Sequence, residues 1–160
     1  PWTVTTVTTG FTSPSGILFT GDSFWVTDQG AGKLFRIGSI GNILQTVTVQ
    51  AAPFQSVFDG TNIWVPNSGS DSVTVVRAFN GTVLQTLTGN GLSFPRVAAF
   101  DGERILVTNP GNTTVSLFKA TDLTPIGVVP TGASTSPLSA CSDGINFWIT
   151  LNGVGNLARF

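Results

Sequence analysis

The sequence predicts an all-β fold, a four-bladed β-propeller built from four-stranded antiparallel blades. Two observations lead to this prediction. A segment of about forty residues occurs four times along the chain, and no part of it shows a helical period. Hydrophobic residues make up 41% of the chain, as expected for one globular domain, residues 1–160. Charged residues make up only 9%, well under the roughly 25% of an ordinary soluble domain, so the surface is predicted to be rich in Thr, Ser and Asn.

Three marks hold the same register in all four copies of the segment. Each copy has an anchor residue in an apolar run, a proline eleven residues before it and a glycine five residues after it. The anchors are Trp25, Trp64, Leu106 and Trp148, spaced by 39, 42 and 42 residues. The prolines are Pro14, Pro53, Pro95 and Pro137, and the glycines are Gly30, Gly69, Gly111 and Gly153.

Each copy reads as four short strands joined by tight turns. The turn before the anchor is Asp-Gly in three copies, a hairpin signal because glycine accepts a positive φ. Four antiparallel strands in about 40–45 residues are typical of a propeller blade. The predicted blades cover about residues 11–49, 50–89, 90–132 and 133–160, the last completed by residues 1–10.

The fourth copy ends after its third strand, and residues 1–10 provide the strand that it lacks. The predicted sealing strand carries Trp2, Val4 and Val7. Sealing within the chain is the favoured arrangement, because neighbouring pairing is common. Two alternatives remain: the strand completes a blade of a neighbouring chain, or the four blades are half of a larger ring formed by two chains.

The sequences that begin at the anchors, "WVTD", "WVPN", "LVTN" and "WITLN", resemble the YVTN β-propeller repeat, with Trp or Leu in place of Tyr. The resemblance covers essentially the whole chain. It implies the propeller fold and a relation to bacterial and archaeal surface proteins. More distantly, it implies a relation to virginiamycin B lyase-like propellers, a family that relies on a histidine.

The residue types argue against an enzyme. The chain has no His and no Tyr, which removes the commonest general base and metal ligand. Most carboxylates fall in hairpin turns, where Asp has a structural role. The sequence therefore predicts no catalytic residues, no metal and no cofactor, and a lyase or hydrolase is the least favoured function.

A polar residue stands three positions after each of the first three anchors and four positions after the last. Together these residues form a candidate ring at one mouth of the central channel. Its members are Asp28, Asn67, Asn109 and, one place later, Asn152. Such a ring would suit a cation or a glycan. Capping of the loop after the second strand is the favoured alternative.

Several other residues break the repeat. Cys141 aligns with apolar positions and is predicted to be buried. Phe94, Arg96 and Lys33 are the few candidates for a binding surface. Asn80 and Asn112 begin N-glycosylation sequons. This motif is short and common, so it is weak evidence that either residue is glycosylated.

The favoured function is an extracellular or cell-surface structural protein that associates with copies of itself, into a filament or surface layer. A near-neutral surface, with net charge −1, favours association and argues against nucleic acid. No apolar run is long enough for a membrane span. A chain that begins with Pro and has no Met suggests a processed or trimmed chain, which either cleavage of a secretory signal or excision from a longer chain would explain. The alternative is a binding module for a glycan or a protein.

Overall fold

The computed structural model describes residues 2–7 and 10–160, and it confirms the all-β, four-bladed propeller. The first blade contains β1 (Pro14–Phe19), β2 (Phe24–Asp28), β3 (Lys33–Ile37) and β4 (Ile43–Thr48). The second contains β5 (Val57–Phe58), β6 (Asn62–Asn67), β7 (Ser72–Arg77) and β8 (Val83–Thr88). The third contains β9 (Ala98–Phe100), β10 (Arg104–Asn109), β11 (Thr114–Lys119) and β12 (Pro125–Pro130).

The fourth blade has three strands, β13 (Pro137–Ser142), β14 (Phe147–Leu151) and β15 (Asn156–Arg159). A short 3₁₀ turn at Asn152–Val154 links the last two. Strands pair antiparallel in chain order within every blade. No helix in the described part of the chain is both long and apolar enough to cross a membrane.

The Asp-Gly turns form the hairpins that the sequence predicts. In the second blade, the Asp59 carboxylate accepts hydrogen bonds from the backbone N–H of Thr61 and Asn62, at 2.8 and 2.6 Å. Its other oxygen accepts the indole N–H of Trp64 at 2.7 Å. The turn therefore also orients the anchor residue, which is fully buried. Asp143 and Trp148 repeat this contact in the fourth blade, at 2.9 Å.

The core lies between blades. One apolar cluster joins blades 1 and 2, a second joins blades 2 and 3, and a third joins blades 3 and 4. Among residues 2–7 and 10–160, no such cluster joins blade 4 to blade 1. Three of the four junctions of the ring are therefore packed.

The predicted sealing strand does not form in the structure. Residues 2–7 adopt no strand, and β15 is the edge of its sheet. Val7 instead contacts Gly41 of the first blade, and Trp2 is fully exposed. Because blades 4 and 1 are not packed together, the segment stays beside the blade to which it is attached. Residues 1, 8 and 9 of the predicted strand lie outside the described residues.

Candidate functional site: two open blade faces

Each blade has two apolar faces, which we name by their packing. The front face packs against the preceding blade, and the back face packs against the following one. At the junction of blades 1 and 2, for example, Trp25 and Leu34 on a back face meet Ile63 and Val65 on a front face. Among residues 2–7 and 10–160, no blade packs on the front face of the first blade or on the back face of the last, so these two faces are open in the structure.

The open front face is visible in the exposure of one repeat position. The residue before each anchor is fully buried in the later blades, with exposures of 0% for Ile63, 0% for Ile105 and 1% for Phe147. The same position in the first blade is Phe24, and it is 45% exposed. The residue type is as apolar as its counterparts, so the missing neighbouring blade accounts for the difference.

Other apolar side chains extend this front face. Ile17 is 61% exposed and Phe19 is 54% exposed, and the rings of Phe19 and Phe24 are 4.9 Å apart. The face borders an open groove of about 910 Å³. Its apolar walls are formed by Val7, Phe11, Ile17, Phe24, Val26 and Ile37. These exposed apolar side chains lie together on one face of the first blade.

The open back face shows the complementary pattern on the third strand. Leu34, Val73 and Val115 occupy equivalent positions opposite their anchor strands and are all 0% exposed. The equivalent residue of the last blade is Leu157, and it is 62% exposed. Trp148 likewise is only half-buried, whereas the other three anchors are fully buried.

Cys141 lies on this open back face, beside Trp148 in the strand register. The prediction that it is buried is wrong, since the thiol-bearing residue is exposed. Its counterpart in the third blade, Ala99, is 4% exposed because the fourth blade covers it. The repeat alignment placed Cys141 correctly at a position that faces a following blade. Cys141 is exposed because no blade covers that face among the described residues.

A cation lies over the half-buried tryptophan of the back face, Trp148. The guanidinium of Arg159 is 5.8 Å from the Trp148 ring. Arg36 takes the same place over Trp25 in the first blade, at 5.9 Å, and also contacts Asp22 at 2.9 Å. The last blade therefore carries the same back-face chemistry as the first blade, whose back face is packed against the second.

Three members of the predicted channel-mouth ring lie inside the fold. Asp28, Asn67 and Asn109 are all 0% exposed. The amide of Asn67 donates to Ser72 and Thr74 of its own blade. No hydrogen bond in the described part of the chain joins two members of the predicted ring. The Asn67 amide thus links the second and third strands of its own blade, and the channel-mouth site stays a prediction.

Asp28 is the charged member of the set. Its carboxylate accepts backbone N–H groups from Thr12, Ser13 and Ala31 at 2.6, 2.9 and 2.9 Å. Burial opposes its ionisation, but these backbone hydrogen bonds outweigh burial and hold the pKa of Asp28 below its ordinary value. Asn152 is exposed, in the 3₁₀ turn.

Arg96 and Phe94 do come together. The Arg96 guanidinium lies 4.1 Å from the ring of Phe54 and 4.6 Å from that of Phe94, which is 43% exposed. Its Nε is buried without a hydrogen-bond partner. Lys33 lies on β3 and donates to Thr48 at 2.7 Å. The arrangement presents an aromatic-flanked cation.

The two predicted glycosylation sites are exposed asparagines in turns. The Asn80 side chain accepts the N–H of Thr82, so the sequon forms its own turn. The Asn112 side-chain amide donates to the carbonyl of Gly91 at 2.9 Å. A glycan at Asn112 would have to displace this contact. Use of either site stays a prediction.

The sequence did not predict that Phe24 and Leu157 would be exposed on open blade faces. The repeat alignment contained a signal, because it places both at positions that face another blade. It did not reveal which blades lack a neighbour. In the described part of the chain, no group of three metal-binding side chains occurs.

Solved structures share this fold. Hydrazine synthase from Kuenenia stuttgartiensis superposes with a TM-score of 0.81 at 19% identity, over 98% of this chain and 48% of that one. Virginiamycin B lyase from Staphylococcus aureus gives 0.72 at 19% identity, over 92% and 55% of the respective chains. The computationally designed Ika4 protein gives 0.80 at 13% identity, over 95% and 93%.

The chain thus spans about half the length of these two natural neighbours and nearly all of Ika4. Neither a protein-family model nor a curated protein sequence matches it. The expected YVTN assignment therefore stays a resemblance, while the likeness to virginiamycin B lyase structures is found in the fold.

One prediction is corrected by these neighbours. The sequence argued that the chain is not an enzyme, yet chains of the same fold include lyases and a hydrazine synthase. The lack of histidine does not by itself separate this chain from enzymes of that architecture. At identities of 11–20%, the likeness shows the β-propeller fold.

Proposed function

We propose that the chain is a self-associating propeller module whose open front face binds the open back face of a second copy. One observation carries the proposal. Repeat positions that are 0–1% exposed at the three packed junctions are 45% exposed at Phe24 and 62% exposed at Leu157. Apolar burial is the main favourable term in most protein association.

The two open faces are chemically matched because every packed junction is built from the same pair of faces. At the first junction, Trp25 and Leu34 pack on Ile63 and Val65. The equivalent contact between copies would place Trp148 and Leu157 on Phe24 and Val26. A second copy therefore supplies the kind of surface that each open face already meets inside the chain.

The proposed contact joins two different surfaces, so it is heterologous. A heterologous contact gives a ring if the rotation closes and a filament if it does not. Closure by two copies would give eight blades. This chain aligns to about half of two longer natural chains and to nearly all of one designed chain, so a fold of this size occurs both within longer chains and as almost a whole chain.

The setting proposed for this association is extracellular or at the cell surface, in a structural role such as a filament or surface layer. The support is the composition. Only 9% of residues are charged and the net charge is −1, so copies repel one another weakly.

The test is the solution mass of the chain over a wide concentration range. We expect sedimentation to show a species of twice the 16.7 kDa chain, or a larger polymer, that dissociates on dilution. A closed pair keeps a constant mass as the concentration rises, whereas a filament grows. A strictly monomeric chain up to about millimolar concentration, where an association of only about 4 kcal/mol would be detected, would overturn the proposal.

Binding of an acidic glycan or peptide at Arg96 is a second candidate function. It is favoured by the guanidinium held between Phe54 and Phe94, with its Nε unpartnered. Guanidinium groups bind carboxylates in a bidentate manner. Arrays of acidic and neutral cell-surface polysaccharides would test it, with Arg96→Lys as the variant and Lys33→Ala as the control. Equal retention of the two variants would argue against this site.

A further inference from the structure

The fourth blade has an open sheet edge as well as an open face. In the first three blades a fourth strand covers the third: β4 covers β3, β8 covers β7, and β12 covers β11. Nothing in the described part of the chain pairs with the free edge of β15. An uncovered strand edge presents unpaired N–H and C=O groups, which makes it a template for strand addition.

Residues 2–7 occupy the position of a fourth strand in the repeat. β8 begins twelve residues before Pro95 and ends seven before it, and β12 has the same offsets from Pro137. Residues 2–7 have these offsets from Pro14. The length and spacing of the segment are thus those of the strands that complete the second and third blades.

The same residues are unpaired in the single chain. Trp2 is 102% exposed and Val4 is 92% exposed, although both are large apolar side chains. The sequence of the segment, WTVTTV, is rich in β-branched residues, which favour strands. In the described part of the chain, residues 2–7 are thus a strand-like segment that pairs with no sheet, and β15 is a third strand that no fourth strand covers.

Chain order indicates which edge the segment reaches. The fourth strand of each blade directly precedes the first strand of the next: β4 leads into blade 2, β8 into blade 3 and β12 into blade 4. When two copies associate front to back, blade 1 of one copy follows blade 4 of the other. Residues 2–7 of the first copy then come to the free edge of β15 of the second.

We propose that residues 2–7 of one copy pair antiparallel with β15 of the other and complete its last blade. This inference rests on the proposed association and adds strand exchange to it. The registers of β7 with β8 and of β11 with β12 agree with each other at every position used here. Transferred to the last blade, they give the pairs Val7↔Asn156, Thr6↔Leu157, Thr5↔Ala158, Val4↔Arg159 and Trp2↔Phe160.

Site-directed cross-linking tests this register. Opposite residues of an antiparallel pair have Cα atoms about 4.5–5.5 Å apart, within the range that a disulfide spans. One protein carries Cys141→Ser with Thr5→Cys, and the other carries Cys141→Ser with Ala158→Cys. The two are mixed under mild oxidation. A third protein, Cys141→Ser with Ile145→Cys, is the control, since Ile145 is 80% exposed in the turn between β13 and β14 and lies on neither proposed strand.

We expect a reducible two-chain band from the Thr5→Cys and Ala158→Cys mixture, and none from either protein alone or from the Ile145→Cys control. Association without this cross-link would overturn strand exchange and leave the proposed function intact. A monomeric mixture without a cross-link would overturn both. An intramolecular cross-link at high dilution, in a chain carrying both cysteines, would show sealing within the chain and also overturn the inference.

A second variant tests the strand by its backbone. In the third blade the backbone N–H of Thr131 donates to the carbonyl of Thr113, and hydrogen-bonded pairs alternate along an antiparallel ladder, so in the transferred register Thr6 would donate to β15. Proline cannot donate to a strand ladder, so Thr6→Pro should weaken association by roughly tenfold or more, the equivalent of one or two net hydrogen bonds. Thr6→Ser is the matched control and should leave association unchanged. The monomer should be unaffected by either change, because residues 2–7 form no strand in the single chain. Equal association of the two variants would contradict the proposal.

Discussion

Replacement of Leu157 by serine separates the proposed interface from the stability of the fold. The side chain is 62% exposed, whereas Leu34, Val73 and Val115 at equivalent positions are 0% exposed. We therefore expect Leu157→Ser to weaken association strongly while leaving the single chain nearly as stable as before. A side chain that contributed to the monomer core would show the opposite result.

The magnitude follows from the area that remains to be buried. Complete burial of a leucine side chain contributes about 1.5–3 kcal/mol, so burial of the exposed 62% contributes roughly 1–2 kcal/mol at each junction. A closed pair has two junctions, which gives about 2–4 kcal/mol, or roughly a 30- to 1000-fold increase in the dissociation constant. In a filament each added copy forms one junction, so the dissociation constant would rise by roughly the square root of that factor.

The assay is sedimentation equilibrium over a dilution series, with urea unfolding of the dilute monomer beside it. Leu44→Ser is the matched control, because Leu44 is 57% exposed on β4. Its counterparts Leu84 and Ile126 are also exposed, at 39% and 52%, so this position does not depend on a neighbouring blade. Equal dissociation constants for Leu157→Ser and Leu44→Ser would refute the assignment of the interface.

The remaining predictions concern a buried cap, acid stability and a thiol. Asp28→Ala leaves buried N–H groups unpaired and should lower the free energy of unfolding by roughly 2–5 kcal/mol in urea titrations; Asp28→Asn, the residue type of the equivalent positions in blades 2 and 3, should cost much less. Hydrogen bonds lower the pKa of Asp143, chiefly from the Asn146 N–H and then from Trp148, and backbone N–H groups outweigh burial to lower the pKa of Asp28. Lowered folded-state pKa values stabilise the fold above the ordinary pKa of 3.8, so unfolding free energy should be flat from about pH 7 to 5 and fall as pH drops below 4. Asp28→Asn should make the unfolding free energy fall less steeply as the pH drops below 4, and an unchanged fall would show that Asp28 does not contribute to it. Cys141 should react with a thiol reagent at high dilution and be protected when copies associate, whereas equal rates at both concentrations would place it outside the interface.

The capping role of Asp28 shows how far local reasoning reaches. Its position three residues after Trp25 recurs in the repeat, so the sequence indicates a turn or a ring of polar groups. The choice between these depends on whether the carboxylate points into a channel or under its own loop. That direction follows from the packing of the loop at residues 12–13 over β2, which no spacing encodes.

Residues 2–7 show the same limit at the level of the chain. Their spacing from Pro14 identifies them as a strand of the repeat, while the pairing partner depends on which sheet edge lies within reach. In the single chain, blades 4 and 1 share no apolar cluster among the described residues, and the segment forms no strand. The sequence thus predicts the strand but not the edge that receives it.

The sequence by itself determined the repeat, the number of blades and the identity of the residues that face a neighbouring blade. These follow from local periodicity and turn chemistry, which depend on residues close together in the chain. Only the tertiary structure decided that Phe24, Leu157 and Cys141 lack a neighbour. Burial depends on what lies across the junction, and the same repeat position is core or surface according to whether another blade is there.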